Sequence, residues 1–219
     1  AMNADGITPA HWFPDCVVTR LRSGAALNAI GLSGPGVQAL LDTGRWQKRT
    51  EPFFISFMSV APTSGERLGE VRAFAEMLED RLPEFHPGVF GLQWNVSCPN
   101  VGVHSEDLVN EVSNGLDMLG GLGIPVLVKL SVTVSVSIAC EIGKHPTCDG
   151  VVVSNTIPWK VVDPALKMQL FGSERSPLEK YKGGGLSGAP LLPLVIKWVK
   201  GARGLGFTKH INAGGGILH

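Results

Sequence analysis

Residues 125–130 read Pro-Val-Leu-Val-Lys-Leu, and residues 150–153 read Gly-Val-Val-Val. Runs this short and this evenly apolar have no polar face. They fit strands of a parallel sheet covered on both sides. Residues 132–142 between them read as a helix despite their β-branched content. Toward the N-terminus the same beat recurs. Residues 89–96 (VFGLQWNV) are strand-like, and residues 107–119 place Leu108, Val109, Val112, Leu116 and Leu119 on one helical side. Residues 53–60 (FFISFMSV) predict a buried strand. Residues 66–82 follow with a helical stripe of Leu68, Val71, Phe74, Met77 and Leu78. Residues 16–19 (CVVT) are compact and β-branched, and residues 36–41 have helical spacing. Toward the C-terminus, residues 190–200 predict a helix and residues 210–213 a short strand. Strand then helix, repeated, is the pattern of a parallel α/β fold. A (β/α)8 barrel and a doubly wound open sheet both satisfy it. The barrel typically takes about 250 residues, and the chain has 219. No composition shift marks a boundary, so one domain over 1–219 is expected. Residues 156–183 break the beat and read as a functional excursion over the strand ends.

Composition narrows the function classes. Hydrophobic residues make up 44% and charged residues 17%, enough apolar content for a real core. Nineteen basic residues balance nineteen acidic ones, which excludes a generally basic nucleic-acid binder. Cys16, Cys98, Cys140 and Cys148 form no CxxC pair, no zinc grouping and no iron–sulfur pattern. A reduced, cytoplasmic setting is expected. No signal segment is visible, and apolar stretches of about ten residues are too short to span a bilayer. The 28 glycines show no three-residue period, so collagen is excluded. Clustered among apolar runs, they predict tight turns and close backbone approach to a ligand.

In parallel α/β proteins, ligands meet the C-terminal ends of strands. The polar residues there are Asn95, Ser97, Cys98 and Asn100 after one strand, Lys129 and Ser131 at the next, and Ser154, Asn155 and Thr156 after a third. Glycines 183–185, Gly188 and glycines 214–216 offer backbone N–H groups suited to a phosphate. No GxxxxGK[ST] loop is present, so an ATP-cradling Walker loop is unsupported. Each residue has a plainer alternative. A single cysteine is usually a small buried residue, Asn28 suits a helix cap, and Trp159 suits packing better than a lid over the site.

Taken in order, these residues resemble one family. Asn95-Val96-Ser97-Cys98-Pro99-Asn100 is similar to the active-site signature of dihydroorotate dehydrogenases of class 1, whose catalytic base is cysteine rather than serine. Met2-Asn3-Ala4-Asp5-Gly6 looks like the family's first-strand motif, and Asn28-Ala29-Ile30-Gly31-Leu32 like its substrate-side Asn-x-x-Gly-Leu. Val128-Lys129-Leu130 resembles the flavin-contacting strand. Ser154-Asn155-Thr156 resembles the strand end over the substrate, and Gly184–Gly188 with Gly215-Gly216-Ile217 the phosphate-side glycines.

The resemblance implies an FMN-dependent (β/α)8 barrel that oxidises dihydroorotate to orotate in pyrimidine biosynthesis. It implies Cys98 as general base, with Asn28, Gly31, Leu32, Asn95, Asn100, Asn155 and Thr156 around the substrate. Ala4, Gly6, Arg20, Asn95, Lys129, Thr156, Gly185, Gly188, Gly215 and Gly216 would hold FMN. Arg20 stands where the family usually has lysine, and Asp5 where it has serine. The sequence reaches His219 just past the seventh expected strand, so a barrel lacking its last strand–helix unit and some loops is expected. The partner implied is a small dihydropyrimidine, with no nucleic acid or membrane. A homodimer and an iron–sulfur partner subunit are both compatible. Two alternatives stand beside this reading: a flavin oxidoreductase of another dihydropyrimidine, and a non-catalytic flavin- or phosphate-binding barrel.

Overall fold

The computed structural model describes residues 15–30, 34–96 and 105–217. Nine strands and six α-helices are found among the described residues. They are β1 (Val17–Arg20), β2 (Ala25–Asn28), α1 (Val37–Asp42), β3 (Phe53–Phe57), α2 (Ser64–Glu79), β4 (Phe90–Asn95), α3 (Ser105–Gly120) and β5 (Val126–Leu130). Then follow α4 (Val136–Gly143), β6 (Gly150–Val153), β7 (Ile157–Pro158), α5 (Pro164–Phe171), β8 (Gly185–Gly188), α6 (Leu192–Gly204) and β9 (His210–Ala213).

Five strands form the parallel sheet that the alternation predicts, in the order β3-β4-β5-β6-β9. Each neighbour in that order is reached through a helix-containing connection, the α/β arrangement from which (β/α)8 barrels are built. The two faces of the sheet differ. Trp94, Val128 and Val151 stand side by side in register, and all are buried. Their face meets the helices. A Cβ on Gly115 of α3 would collide with the Trp94 indole, coming within 2.8 Å of its Cζ3. Glycine inside a helix costs about 1 kcal/mol relative to alanine, and here it makes room for the indole. The opposite face carries the row Asn95, Lys129, Val152 and Asn212.

Arg67 of α2 and Glu111 of α3 join the two helices through paired 2.6 Å contacts, with side chains only 9% and 13% exposed. The N-terminal edge of the sheet is fastened by polar groups. Asp149 accepts from the Val126 N–H at 2.8 Å, and Lys209 donates to the carbonyls of His145 and Cys148 at 2.8 and 2.7 Å. No helix among the described residues is long and apolar enough to cross a membrane.

Four strands depart from the expected beat. β1, read as one more unit of the strand–helix alternation, runs antiparallel to β2 in a separate sheet of order β1-β2-β8-β7. The physical reason is the turn at Leu21–Ser23, closed by Gly24 at φ 60°, which reverses the chain within three residues. The glycines expected to form a phosphate loop include an actual strand, β8, paired with β2 on one side and β7 on the other. The excursion predicted over residues 156–183 holds β7 and α5. Trp159 settles as a packing residue: it is 7% exposed, sits edge-on to Phe171, and donates from Nε1 to the Glu174 carbonyl.

Candidate active site

Parallel strands place all their C-terminal ends on one edge, and the ladder there runs one or two residues past the strands. The Val96 N–H bonds the Lys129 carbonyl at 3.2 Å, Asn155 N–H the Leu130 carbonyl at 3.1 Å, and Ser154 N–H the Gly214 carbonyl at 2.9 Å. The residues that carry polar side chains at this edge therefore have fixed backbones.

Their side chains connect. The Asn155 amide donates from Nδ2 to Asn95 Oδ1 at 3.3 Å, and its own Oδ1 accepts from the Thr156 N–H at 2.9 Å. Asn95 donates in turn from Nδ2 to the Met58 sulfur at 3.4 Å. Asn95 lies directly opposite Lys129 on β5. Lys129 is half-buried, and the loss of water around its ammonium pulls its pKa below the ordinary lysine range.

The antiparallel sheet adds the other side of the site. Thr156 packs so closely on Gly185 that a Cβ there would come within 2.7 Å of the threonine Cβ. Gly185 faces Asn28 in the β2–β8 register, and Gly184 crowds the Asn28 carbonyl. Asn28, Asn95, Lys129, Asn155, Thr156 and Gly185 thus form one contiguous group drawn from both sheets. Asn28 closes β2 and caps no helix, since α1 begins at Val37.

A second group lies at the other end of β8, about 10 Å away for three strand residues. Gly188, Gly215 and Gly216 all have positive φ, at 91°, 103° and 78°. A Cβ on Gly216 would come within 2.8 Å of both the Gly188 carbonyl and the Leu192 nitrogen at the start of α6. Only glycine allows so close an approach of three backbone segments, and the result is a cradle of main-chain groups at the N-terminus of a thirteen-residue helix.

Arg20 is engaged outside this group. Its guanidinium lies over the Phe171 ring at 5.1 Å, and it donates to the Thr19 carbonyl. Ala4, Gly6, Gly31, Leu32, Cys98 and Asn100 lie outside the described residues. Met58 was absent from the expected site. Reading residues 53–60 as one strand hid it, because β3 stops at Phe57 and leaves Met58 at a C-terminal strand end. The strand-end rule finds it once the boundary is known.

Convergent amides and a glycine cradle stand at the strand ends of a parallel α/β sheet, where proteins of this class bind their ligands. Comparison with known proteins gives the family. Residues 9–217 match the family model described as dihydroorotate dehydrogenase, and the chain belongs to that family. It is 29% identical over 199 residues to "Dihydroorotate dehydrogenase A (fumarate)" of Lactobacillus delbrueckii subsp. bulgaricus, covering 86% of this chain and 58% of the relative. It is 31% identical over 188 residues to "Dihydroorotate dehydrogenase B (NAD(+)), catalytic subunit" of Bacillus cytotoxicus, covering 80% of this chain and 53% of the relative. A third relative of that B type, from Thermodesulfovibrio yellowstonii, is 28% identical over 183 residues, 79% of this chain and 53% of its own. The chain spans little more than half the length of these curated relatives.

Proposed function

We propose that this chain forms one flavin-binding domain over residues 1–219 and oxidises dihydroorotate to orotate with FMN, Cys98 acting as the base. The observation that carries the reading is the linked amide group Asn95–Asn155, standing beside Lys129 at the strand ends of a member of this family. A cyclic imide alternates N–H donors and C=O acceptors, and carboxamides match both. Asn28, Asn95, Asn155 and Asn100, with Thr156, Gly31 and Leu32, surround the pyrimidine in this reading.

The cofactor fits the residues present. The side-chain-free backbone at Gly188, Gly215 and Gly216 lies at the N-terminal end of α6, the position that favours a phosphate group. Gly185, Thr156, Asn95, Ala4 and Gly6 complete the proposed flavin side, and Arg20 joins it only by leaving the Phe171 ring. Lys129 supplies positive charge at low water exposure, where it acts more strongly than in bulk water. FMN, when bound, accepts the hydride that leaves the substrate. Cys98 takes the adjacent carbon's proton on Sγ. An ordinary thiol titrates near pH ~8.5, so the surroundings of Cys98 must favour its thiolate for it to work at neutral pH. The four asparagines hold the ring so that both hydrogens leave without the substrate turning. The small polar substrate and the reduced thiol fit a cytoplasmic enzyme.

Purified protein loaded with FMN is yellow, and it bleaches when dihydroorotate is added without oxygen. Cys98→Ala keeps the colour and loses the bleaching at neutral pH. A chain that takes up no FMN, or flavin that no dihydropyrimidine reduces, overturns the assignment.

A further inference from the structure

A carboxamide can offer either its oxygen or its nitrogen to a neighbour, and a pair of them can be linked in two opposite senses. Here the two ends of the chain of bonds choose the sense. The Thr156 backbone N–H can only donate, so Asn155 turns Oδ1 toward it. The Asn155 nitrogen is then left to donate to Asn95 Oδ1, which sends the Asn95 nitrogen onto Met58 Sδ at 3.4 Å. A thioether has no hydrogen to give. With a compulsory donor at one end and a compulsory acceptor at the other, only one polarity is self-consistent.

Met58 is itself held in place. The loop that carries it, residues 58–62, is fastened on both kinds of backbone group. Glu70 accepts from the N–H groups of Val60 and Ala61 at 2.7 and 3.2 Å. Arg67 donates to the carbonyls of Ala61 and Pro62 at 3.2 and 3.1 Å while it grips Glu111. The pair that joins α2 to α3 therefore also anchors the loop behind the site.

We propose that Met58 is a positioning residue for specificity. Its sulfur accepts from the outer Asn95 nitrogen and so holds in place the polarity that the Thr156 N–H sets along the Asn95–Asn155 pair, and with it the donors and acceptors offered to a cyclic imide. Reversing either amide would set donor against donor within the chain of bonds. This inference rests on the pyrimidine-binding reading of the site, and the test separates the two.

The test uses the 15N-labelled full chain, with the side-chain amide signals of Asn95 and Asn155 assigned through their Asn→Asp variants. Met58→Leu keeps the apolar bulk and removes the acceptor. Met58→Gln puts back a carbonyl acceptor. Met58→Leu shifts the amide signals of both asparagines, including Asn155, which is linked to Met58 through Asn95. In FMN-loaded protein it weakens orotate binding about three- to tenfold. The anaerobic bleaching rate at saturating dihydroorotate stays within about twofold, as expected for a loss of uniform binding. Met58→Gln restores the affinity. Unmoved Asn155 signals in Met58→Leu, or a Met58→Gln variant as weak as Met58→Leu, overturn the role of Met58. Should Met58→Leu fail to fold, the unmodified chain decides: equally fast water exchange of both Asn95 side-chain protons overturns it as well. Coupled amides in a chain that binds no orotate overturn the pyrimidine reading, and the specificity role with it.

Discussion

The two sheets differ in what stands at their ends. Strands of the parallel sheet are held by burial: Val126, Val128, Leu130, Val151 and Val153 have no exposed surface, and their order in the sheet follows the chain's strand–helix alternation. Strands of the antiparallel sheet bury Leu27, Leu186 and Ile157 in the middle, and their ends are joined by close approach. Gly188 leaves no room for a side chain against the Gly24 carbonyl, and Gly185 leaves none against Thr156. Damage to the first sheet should therefore appear as lost stability. Damage to the second should appear as lost ligand binding in a chain that still folds.

The sharpest way to test that division begins in the parallel sheet. Leu130→Ala should cost about 3 kcal/mol, since the side chain is fully buried and leaves a cavity. Urea unfolding reads this as a lower midpoint with an unchanged slope. A mild effect there would mean that the core re-forms around the gap, and the contrast would weaken.

Glu111→Ala comes next. It strands the Arg67 charge in a nearly buried position and should cost about 2–3 kcal/mol. Because Arg67 also fastens the Met58 loop, orotate affinity should fall in the same variant. Here damage between the helices is expected to reach binding as well.

Gly185→Ala tests the other sheet. The added methyl displaces Thr156 and should cost only about 1–2 kcal/mol in stability. Its larger effect should be on orotate and flavin binding, read by titration of the flavin absorbance. Adding Thr156→Gly should relieve the crowding and return the lost stability, but not the affinity. If Gly185→Ala binds as the parent does, the close-approach account of this sheet fails.

The smallest effect concerns pH. Burial pushes the Cys148 thiol above its ordinary range. The unfolded chain releases that proton at lower pH than the folded one. The contribution to stability is full below about pH 8.5 and is lost as pH rises through the folded value. Cys148→Ala should flatten that alkaline decline, measured as melting temperature between neutral pH and pH 10.

The same contrast explains what the sequence disclosed. β5 and β6 were legible because Val-Leu-Val-Lys-Leu and Gly-Val-Val-Val carry β-branched, unbroken apolar character. β2 was not, since Ala25-Ala26-Leu27-Asn28 has no strand preference of its own and is ordered by pairing with β1 and β8. α5 shows no apolar stripe, yet its boundaries were written locally. Asp163 caps it, Pro164 opens it and Gly172 closes it at φ 70°. The site was legible to the extent that strand ends were: Asn95, Lys129, Asn155 and Thr156 stand where the alternation placed them. Met58 and the coupling of the two sheets through Gly185 and Thr156 depend on contacts between distant segments, which no local pattern encodes.

Lys209 stands at the opposite edge of the sheet from all of this, gathering the carbonyls of His145 and Cys148. That separation gives the protein two independent dials. Substitutions around Lys209 can lengthen or shorten the folded lifetime while the ligand-facing edge keeps its chemistry. A lineage moving to a hotter habitat could therefore adapt through the floor of the sheet and leave its substrate preference untouched.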